Sequence, residues 1–304
     1  MNTPESPATK RLNARDFDQE LIDLYDYYVH GQIDRRTFLE RAAKFAIGGL
    51  TAAALLDLLN PAYALAAEVP KEDPRVNSEY ITFPSPAGHG EGRGLLARPA
   101  GDAARRPAVL VVHENRGLNP YIEDVARRVA LAGFTAFAPD ALYSLGGYPG
   151  NDDEGRAMQQ KLERAKIEED FVAAARFIQT HEASNGVVGV VGFCFGGYIS
   201  NTLAWRAPEI IRAAVPYYGG SGPVEEAGKI KGALLLHFAE LDTRVNAGWP
   251  PYEAALKEEG VSYQAHTYAG VNHGFHNDTT PRYDAAAAKL SWERTVAFFR
   301  EKLA

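Results

Sequence analysis

The side chain with the most pointed chemistry in this sequence is a thiol. Cys194 closes the apolar run Val187-Val-Gly-Val-Val-Gly-Phe193 and is followed by Phe195-Gly-Gly197. Gly192 and Gly196 bracket it as G-x-C-x-G, a spacing that lets a nucleophile sit on a sharp strand-to-helix turn where neighbouring side chains would collide. Val187, Val188, Val190 and Val191 suit a strand buried on both faces. A helix over 195–206 would start beside the sulfur and favour negative charge there through its free N–H groups and dipole. A thiol is mostly protonated at neutral pH, so it needs an imidazole to take the proton and a carboxylate to fix that imidazole's tautomer. His273, in Gly270-Val-Asn-His-Gly-Phe275, and Asp242 have the right chemistry, with Glu114 as a further acid. A lone cysteine is ordinarily a buried small hydrophobe; the two glycines and these partners argue for a nucleophile.

The elements that must carry these groups follow from periodicity and turn residues. Strands are predicted at 108–113, 134–138, 187–193, 213–218, 233–238 and 262–268, after an edge hairpin of 80–83 and 93–98. Helices are predicted at 121–131, behind the Asn119-Pro120 cap, and at 154–164, 168–181, 195–206, 252–259 and 283–303. Such alternation implies an α/β fold, a doubly wound and mainly parallel sheet covered on both faces. Glu114, Cys194, Asp242 and His273 each fall just after a strand, the end at which open sheets of this kind hold their sites.

The order nucleophile, acid, histidine is that of α/β-hydrolases. The chain from residue 77 onward resembles the dienelactone hydrolase family of that superfamily, the carboxymethylenebutenolidase type. Three segments carry the resemblance: His113-Glu-Asn-Arg-Gly-Leu118, Gly192-Phe-Cys-Phe-Gly-Gly197 and His273-Gly-Phe275, supported by Ala138-Pro-Asp-Ala-Leu-Tyr143. It implies a cofactor-free Cys-His-Asp triad that opens a lactone, ester or thioester, with Glu114 helping to activate the thiol. Backbone N–H groups of Asn115 and Phe195 would form the oxyanion hole. The family's substrate-carboxylate arginines are replaced by Leu145 and Asn277, which favours neutral substrates unless Arg116 or Arg282 compensates. Arg116, Tyr143, Tyr148, Trp249 and Phe275 are candidate pocket residues. No metal is expected: His113-Glu114 has Gly at 117 instead of the second histidine of H-E-x-x-H, and His273-x-x-His276 has no third ligand spaced with it.

Residues 1–64 read as an N-terminal extension, 65–76 as a linker and 77–304 as the catalytic domain. After an amphipathic helix over 17–29 come Arg35-Arg36, the apolar stretch 45–56 and Ala62-Tyr63-Ala64, a pattern that resembles a twin-arginine export signal with an A-x-A cleavage site. On that reading the export machinery is a partner and the mature protein is periplasmic or secreted, starting at Leu65. The alternative is a retained arm in a cytoplasmic protein, packed through Phe38, Leu39, Phe45, Leu55 and Leu58.

Composition sets limits. The 304 residues, 46% hydrophobic and 23% charged, can bury a full α/β core. A net charge of −7 argues against nucleic acid as a partner, and one cysteine leaves no intrachain disulfide. The function thus reads as a cysteine hydrolase of small esters or lactones; the competing reading is an exported binding protein that keeps the scaffold without turnover.

Overall fold

The computed structural model describes residues 12–47, 49–63, 66–101 and 104–304. Its strands are β1 (Val76–Ser85), β2 (Gly90–Pro99), β3 (Arg106–Val112), β4 (Thr135–Pro139), β5 (Ser184–Phe193), β6 (Ile211–Tyr217), β7 (Ala233–Ala239) and β8 (Tyr263–Tyr268). They form one sheet in the order β1-β2-β4-β3-β5-β6-β7-β8. The hairpin β1–β2 is antiparallel and joins antiparallel to β4; every other pairing is parallel. The helices are α1 (Gln19–Val29), α2 (Arg35–Ala42), α3 (Ala52–Leu59), α4 (Pro120–Leu131), α5 (Asp152–Gln159), α6 (Arg164–Thr180), α7 (Phe195–Arg206), α8 (Thr243–Asn246), α9 (Trp249–Glu258) and α10 (Ala285–Lys302).

Alternate residues of each central strand feed opposite layers, as the period of two requires. Val109, Val111, Val191, Phe193 and Val215 pack towards α4 and α10, meeting Ile122, Val125 and Phe299. Leu110, Val112, Val188, Val190 and Leu236 face the other way, onto Phe171, Ile178, Ile199 and Leu203 of α6 and α7. Asn119 starts α4 by accepting from the Ile122 N–H at 3.2 Å, with Pro120 in the first turn, as predicted. The helices predicted at 154–164 and 168–181 lie earlier, because Asn151 caps α5 by accepting from the Glu154 N–H at 3.1 Å. The α5 helix then ends at Gln159 and α6 begins at Arg164.

The N-terminal arm has a small core of its own. Asp18 caps α1, whose stripe of Leu21, Ile22, Leu24, Tyr25, Tyr28 and Val29 is buried with Phe38, Ala42, Leu55, Leu56 and Leu59. The arginine-pair segment is helical: Arg35 and Arg36 are exposed in the first turn of α2, and Arg36 donates to Glu40 at 2.9 Å. No continuous helix runs on to residue 59, since Gly49 adopts φ +90° and Thr51 caps a separate α3. Leu55 is buried as the retained-arm alternative expects, but Leu58 is 40% exposed, with Leu56 and Leu59 turned inward in its place. The expected cleavage point, 64–65, lies outside the described residues. No helix among the described residues is long and apolar enough to cross a membrane.

The arm lies across the carboxyl ends of the strands. Gln19 donates to Asn272 at 2.6 Å, Tyr28 to Asp153 at 2.6 Å, Tyr63 to Asp152 at 2.7 Å, and the Ala62 N–H to the Thr279 carbonyl at 2.7 Å. Because the arm core is separate from the two sheet layers, damage to it should stay local. Phe38→Ala should cost about 3–5 kcal/mol in the arm. Hydrogen exchange should then quicken in α1 while β3 and β5 keep their protection, a pattern readable by mass spectrometry.

Candidate active site

Steric need dictates the turn at Cys194. The residue has φ 56° and ψ −111°, outside the regions that side-chain-bearing residues favour. A Cβ on Gly192 would lie 2.0 Å from the Gly196 carbonyl oxygen, and one on Gly196 would lie 2.2 Å from that of Val112. Both glycines are therefore obligatory for the close approach of β3, β5 and α7. The Cys194 N–H donates to the Tyr217 carbonyl at 3.1 Å, which pins the turn to β6. The sulfur sits at the start of α7, where the first N–H groups have no carbonyl within the helix to bond.

Two loops bring a histidine and its carboxylate to this point. Asp242 follows β7, and one oxygen accepts from the Val245 N–H at 3.1 Å while the other meets His273 Nδ1 at 2.5 Å. His273 Nε2 is buried without a hydrogen-bond partner, and a ring nitrogen of His273 lies within 4.8 Å of Cys194 Sγ. Burial disfavours the imidazolium, but Asp242, Asp26 and the sulfur outweigh it and raise the His273 pKa to about 10. Burial likewise pushes the Cys194 thiol up, and His30 and His273 reverse this, holding it well below its ordinary value. Both shifts favour a thiolate beside an imidazolium.

His30 is the residue that sequence reasoning missed. It caps the C-terminus of α1, and its Nε2 lies 3.2 Å from Cys194 Sγ. Its Nδ1 meets the Asp26 carbonyl oxygen at 2.8 Å and the Asp26 carboxylate at 3.2 Å. Asp26 in turn pairs with Arg282 at 3.2 Å and Arg244 at 3.4 Å. The signal was present as a His four residues after an Asp on an amphipathic helix, but nothing in the sequence ties that helix to Cys194 across 164 positions.

Glu114 does not touch the sulfur. It is 2% exposed and accepts from Asn277 Nδ2 at 3.1 Å, and burial holds its carboxyl above the usual range, against the pull of Arg116. The candidate pocket residues are also placed elsewhere. Arg116 is buried against Asp152 at 2.8 Å, and Tyr148 donates to the same carboxylate at 2.8 Å. Tyr143 reaches Glu91 at 3.0 Å, Trp249 packs on Phe238, and Phe275 is wholly buried in the α4–α10 layer. Arg282 is spent on Asp26. The space beside the site is a cavity of about 280 Å³ lined by His30, Asn115, Phe195, Arg156, Gln159 and Arg164.

His276 turns away to the Tyr121 hydroxyl at 2.7 Å, and burial lowers its pKa to about 3, so it does not join His273. The nitrogens of His30 and His273 and the Cys194 sulfur lie within 4.8 Å of one another, close enough for a cation. Arg244 Nη2, however, stands 3.1 Å from His30 Nε2. A fixed positive charge there opposes a further cation at the cluster.

Comparison with known proteins identifies the family to which the chain belongs. The dienelactone hydrolase family model matches residues 93–303. The chain belongs to that family. It is a hydrolase acting on ester or lactone bonds, built on the α/β-hydrolase fold. A separate model, described as YqhI-like, matches residues 9–44, the first part of the arm. The chain is 65% identical over 114 residues to the hydrolase fragment YghX of Escherichia coli (strain K12), covering 38% of this chain and 97% of that one. It is 31% identical to a protein of Synechocystis sp. (strain ATCC 27184 / PCC 6803 / Kazusa) named for carboxymethylenebutenolidase, covering 69% and 92%. A structure from Klebsiella pneumoniae subsp. pneumoniae MGH 78578, titled for dienelactone hydrolase, superposes with a TM-score of 0.66 at 24% identity, covering 74% of this chain and 98% of that one.

If Cys194 and His273 carry the hydrolysis, their shifted protonation equilibria set a pH profile. A raised imidazole pKa keeps the charged form up to about 10, so kcat/KM should hold through neutral pH and fall on an alkaline limb near 10. Asp242→Asn removes the carboxylate that most favours the imidazolium. The limb should then move down towards the ordinary histidine value of about 6.5, read from kcat/KM against pH.

Proposed function

We propose that the protein hydrolyses a small lactone or ester through Cys194, His273 and Asp242. The observation that carries this reading is the Cys194 turn, strained and glycine-walled, with its sulfur held next to a buried His–Asp pair. The thiolate attacks the carbonyl carbon, and the oxyanion is received by N–H groups of Phe195 and Asn115, two residues that line the cavity. An imidazolium gives its proton to the departing alkoxide, leaving a thioester. Water then attacks the thioester, an imidazole takes the water's proton, and the acid leaves with the thiolate restored. A binding protein without turnover would have no use for a depressed thiol and an oriented imidazole in one place.

The cavity also bears on substrate. Leu145 is 43% exposed and Asn277 is engaged with Glu114, so neither takes over the arginine positions of the family. Arg164 offers a different cation: its guanidinium lies 5.8 Å over the Phe195 ring, and no carboxylate pairs with it among the described residues. We therefore read the substrate as carrying a carboxylate, as the carboxymethylenebutenolide of the relative's name does, in place of the neutral substrate expected from sequence. Cys194→Ala should lose on the order of a millionfold in kcat on any lactone or ester that the wild type turns over. In the same panel, Arg164→Gln should raise KM for carboxylate-bearing lactones and leave neutral esters nearly unchanged. Residual turnover by Cys194→Ala above about one per cent would refute the nucleophile, since a triad nucleophile is worth far more.

We also propose that the arm is retained. Its buried core and its hydrogen bonds around the site support this reading over removal at residue 64. N-terminal sequencing of protein isolated from its own host should give Met1 or Asn2; a start at Leu65 would establish export and cleavage.

A further inference from the structure

Two histidine–aspartate pairs converge on one sulfur. His273 meets Asp242 through Nδ1, His30 meets Asp26 through Nδ1, and in both rings Nε2 is the nitrogen left for the cluster. The rings stand edge to face, at 88° with centroids 4.6 Å apart. Their surroundings differ. His273 borders a narrow crevice of about 50 Å³ with Asp26, Asp242 and Arg244. His30 faces the larger cavity of about 280 Å³ that also reaches Asn115 and Phe195. A substrate placed on the oxyanion donors from that cavity therefore has His30, in the arm, as the imidazole on its side of the sulfur.

We propose that His30, oriented by Asp26, is a second catalytic histidine, so that the N-terminal arm completes the active site of the catalytic domain. The proposal rests on Cys194 being the nucleophile. His273 keeps the thiolate, and His30 handles the substrate's proton. In acylation the S–C bond forms, the C–O bond to the leaving group breaks, and the His30 Nε2 proton passes to the departing alkoxide. In deacylation the oxygen of water bonds to carbon, its proton goes to His30 Nε2, and the C–S bond breaks to return the thiolate. The proton given up in the first half is recovered in the second, and no other reactant is needed.

The surroundings of His30 fit this task. The sulfur and Asp26 raise its pKa against burial, which favours the protonated ring. Arg244, 3.1 Å from Nε2 and 3.4 Å from His273 Nδ1, opposes full protonation of both rings and keeps the proton transferable. Arg282 acts through Asp26, meeting at 3.2 Å the same carboxylate oxygen, Oδ1, that His30 Nδ1 faces. The Val29 carbonyl accepts from Asn115 Nδ2 at 2.7 Å, which fastens the residue before His30 to the loop expected to supply an oxyanion donor.

The test uses the full-length protein and a nitrophenyl ester or lactone that the wild type hydrolyses. His30→Ala should lower kcat by about 10²–10⁴-fold, the usual worth of a general acid–base group. Iodoacetamide should still alkylate Cys194, and the melting temperature should stay close to that of the wild type. Free imidazole added to His30→Ala should restore turnover through the vacated space, with a pH dependence that follows the added imidazole; a purely structural histidine would not respond. His30→Gln, which keeps the size and a hydrogen bond but cannot carry the proton, should remain as slow as His30→Ala. Wild-type kcat in either variant, higher kcat in His30→Ala, or a slow His30→Ala that imidazole leaves unchanged would each overturn the proposal. Cys194→Ala on the same substrate separates the two readings. If that variant is inactive while His30→Ala is fully active, only the second histidine fails; if Cys194→Ala stays active, the nucleophile itself fails.

Discussion

A buried sulfur whose surroundings favour negative charge is the constraint on which the carboxyl end of the sheet depends. Cys194 is 9% exposed, and removing a thiolate from water is costly unless charges and donors replace the water. The fold supplies them from three directions: the start of α7, His273 held by Asp242, and His30 held by Asp26. Each donor is itself fixed by a second contact, so the favourable field exists before substrate arrives.

Stabilising one anion in this way requires a balance of charge around it. Asp26 is the pivot: despite burial, His273, His30 and Arg282 hold its carboxyl well below the usual range. Arg282 and Arg244 are drawn to Asp26 from the loop before α10 and from α8, which couples the arm to two segments of the catalytic domain. On the opposite flank, Asp152 gathers Arg116, Tyr148 and Tyr63, so that arginine is consumed in holding the arm down. Two cations line the cavity, Arg156, which pairs with Asp153, and Arg164 on α6, a helix that carries none of the family's motifs.

Glu114 illustrates how local identity and local role can part. The resemblance makes it an activator of the thiol, yet Asn277, standing where the family has an arginine, takes its hydrogen bond, and burial favours its neutral form. The group that lies at hydrogen-bond distance from the sulfur is instead His30, from the N-terminal arm.

Much of this was legible in the linear chain, because the relevant physics is local. The period of two in 187–193, the glycines that clear space around Cys194, the Asn119 cap and the placement of Asp242 and His273 after strands all act within a few residues, and the structure repeats them at near the expected boundaries. The helix boundaries at 152–164 moved because an Asn cap outweighs a weak periodicity. What the chain could not reveal is where the arm lies and which side chains share a cavity. His30 and Cys194 are 164 residues apart, Asp26 and Arg282 are 256 apart, and no local pattern encodes such distances. Their meeting follows from burying the stripe of α1 while satisfying a carboxylate, two guanidinium groups and a thiolate at once. Only the folded molecule can settle that sum over many partners, and it decided that the amphipathic helix before Arg35 reaches the active site.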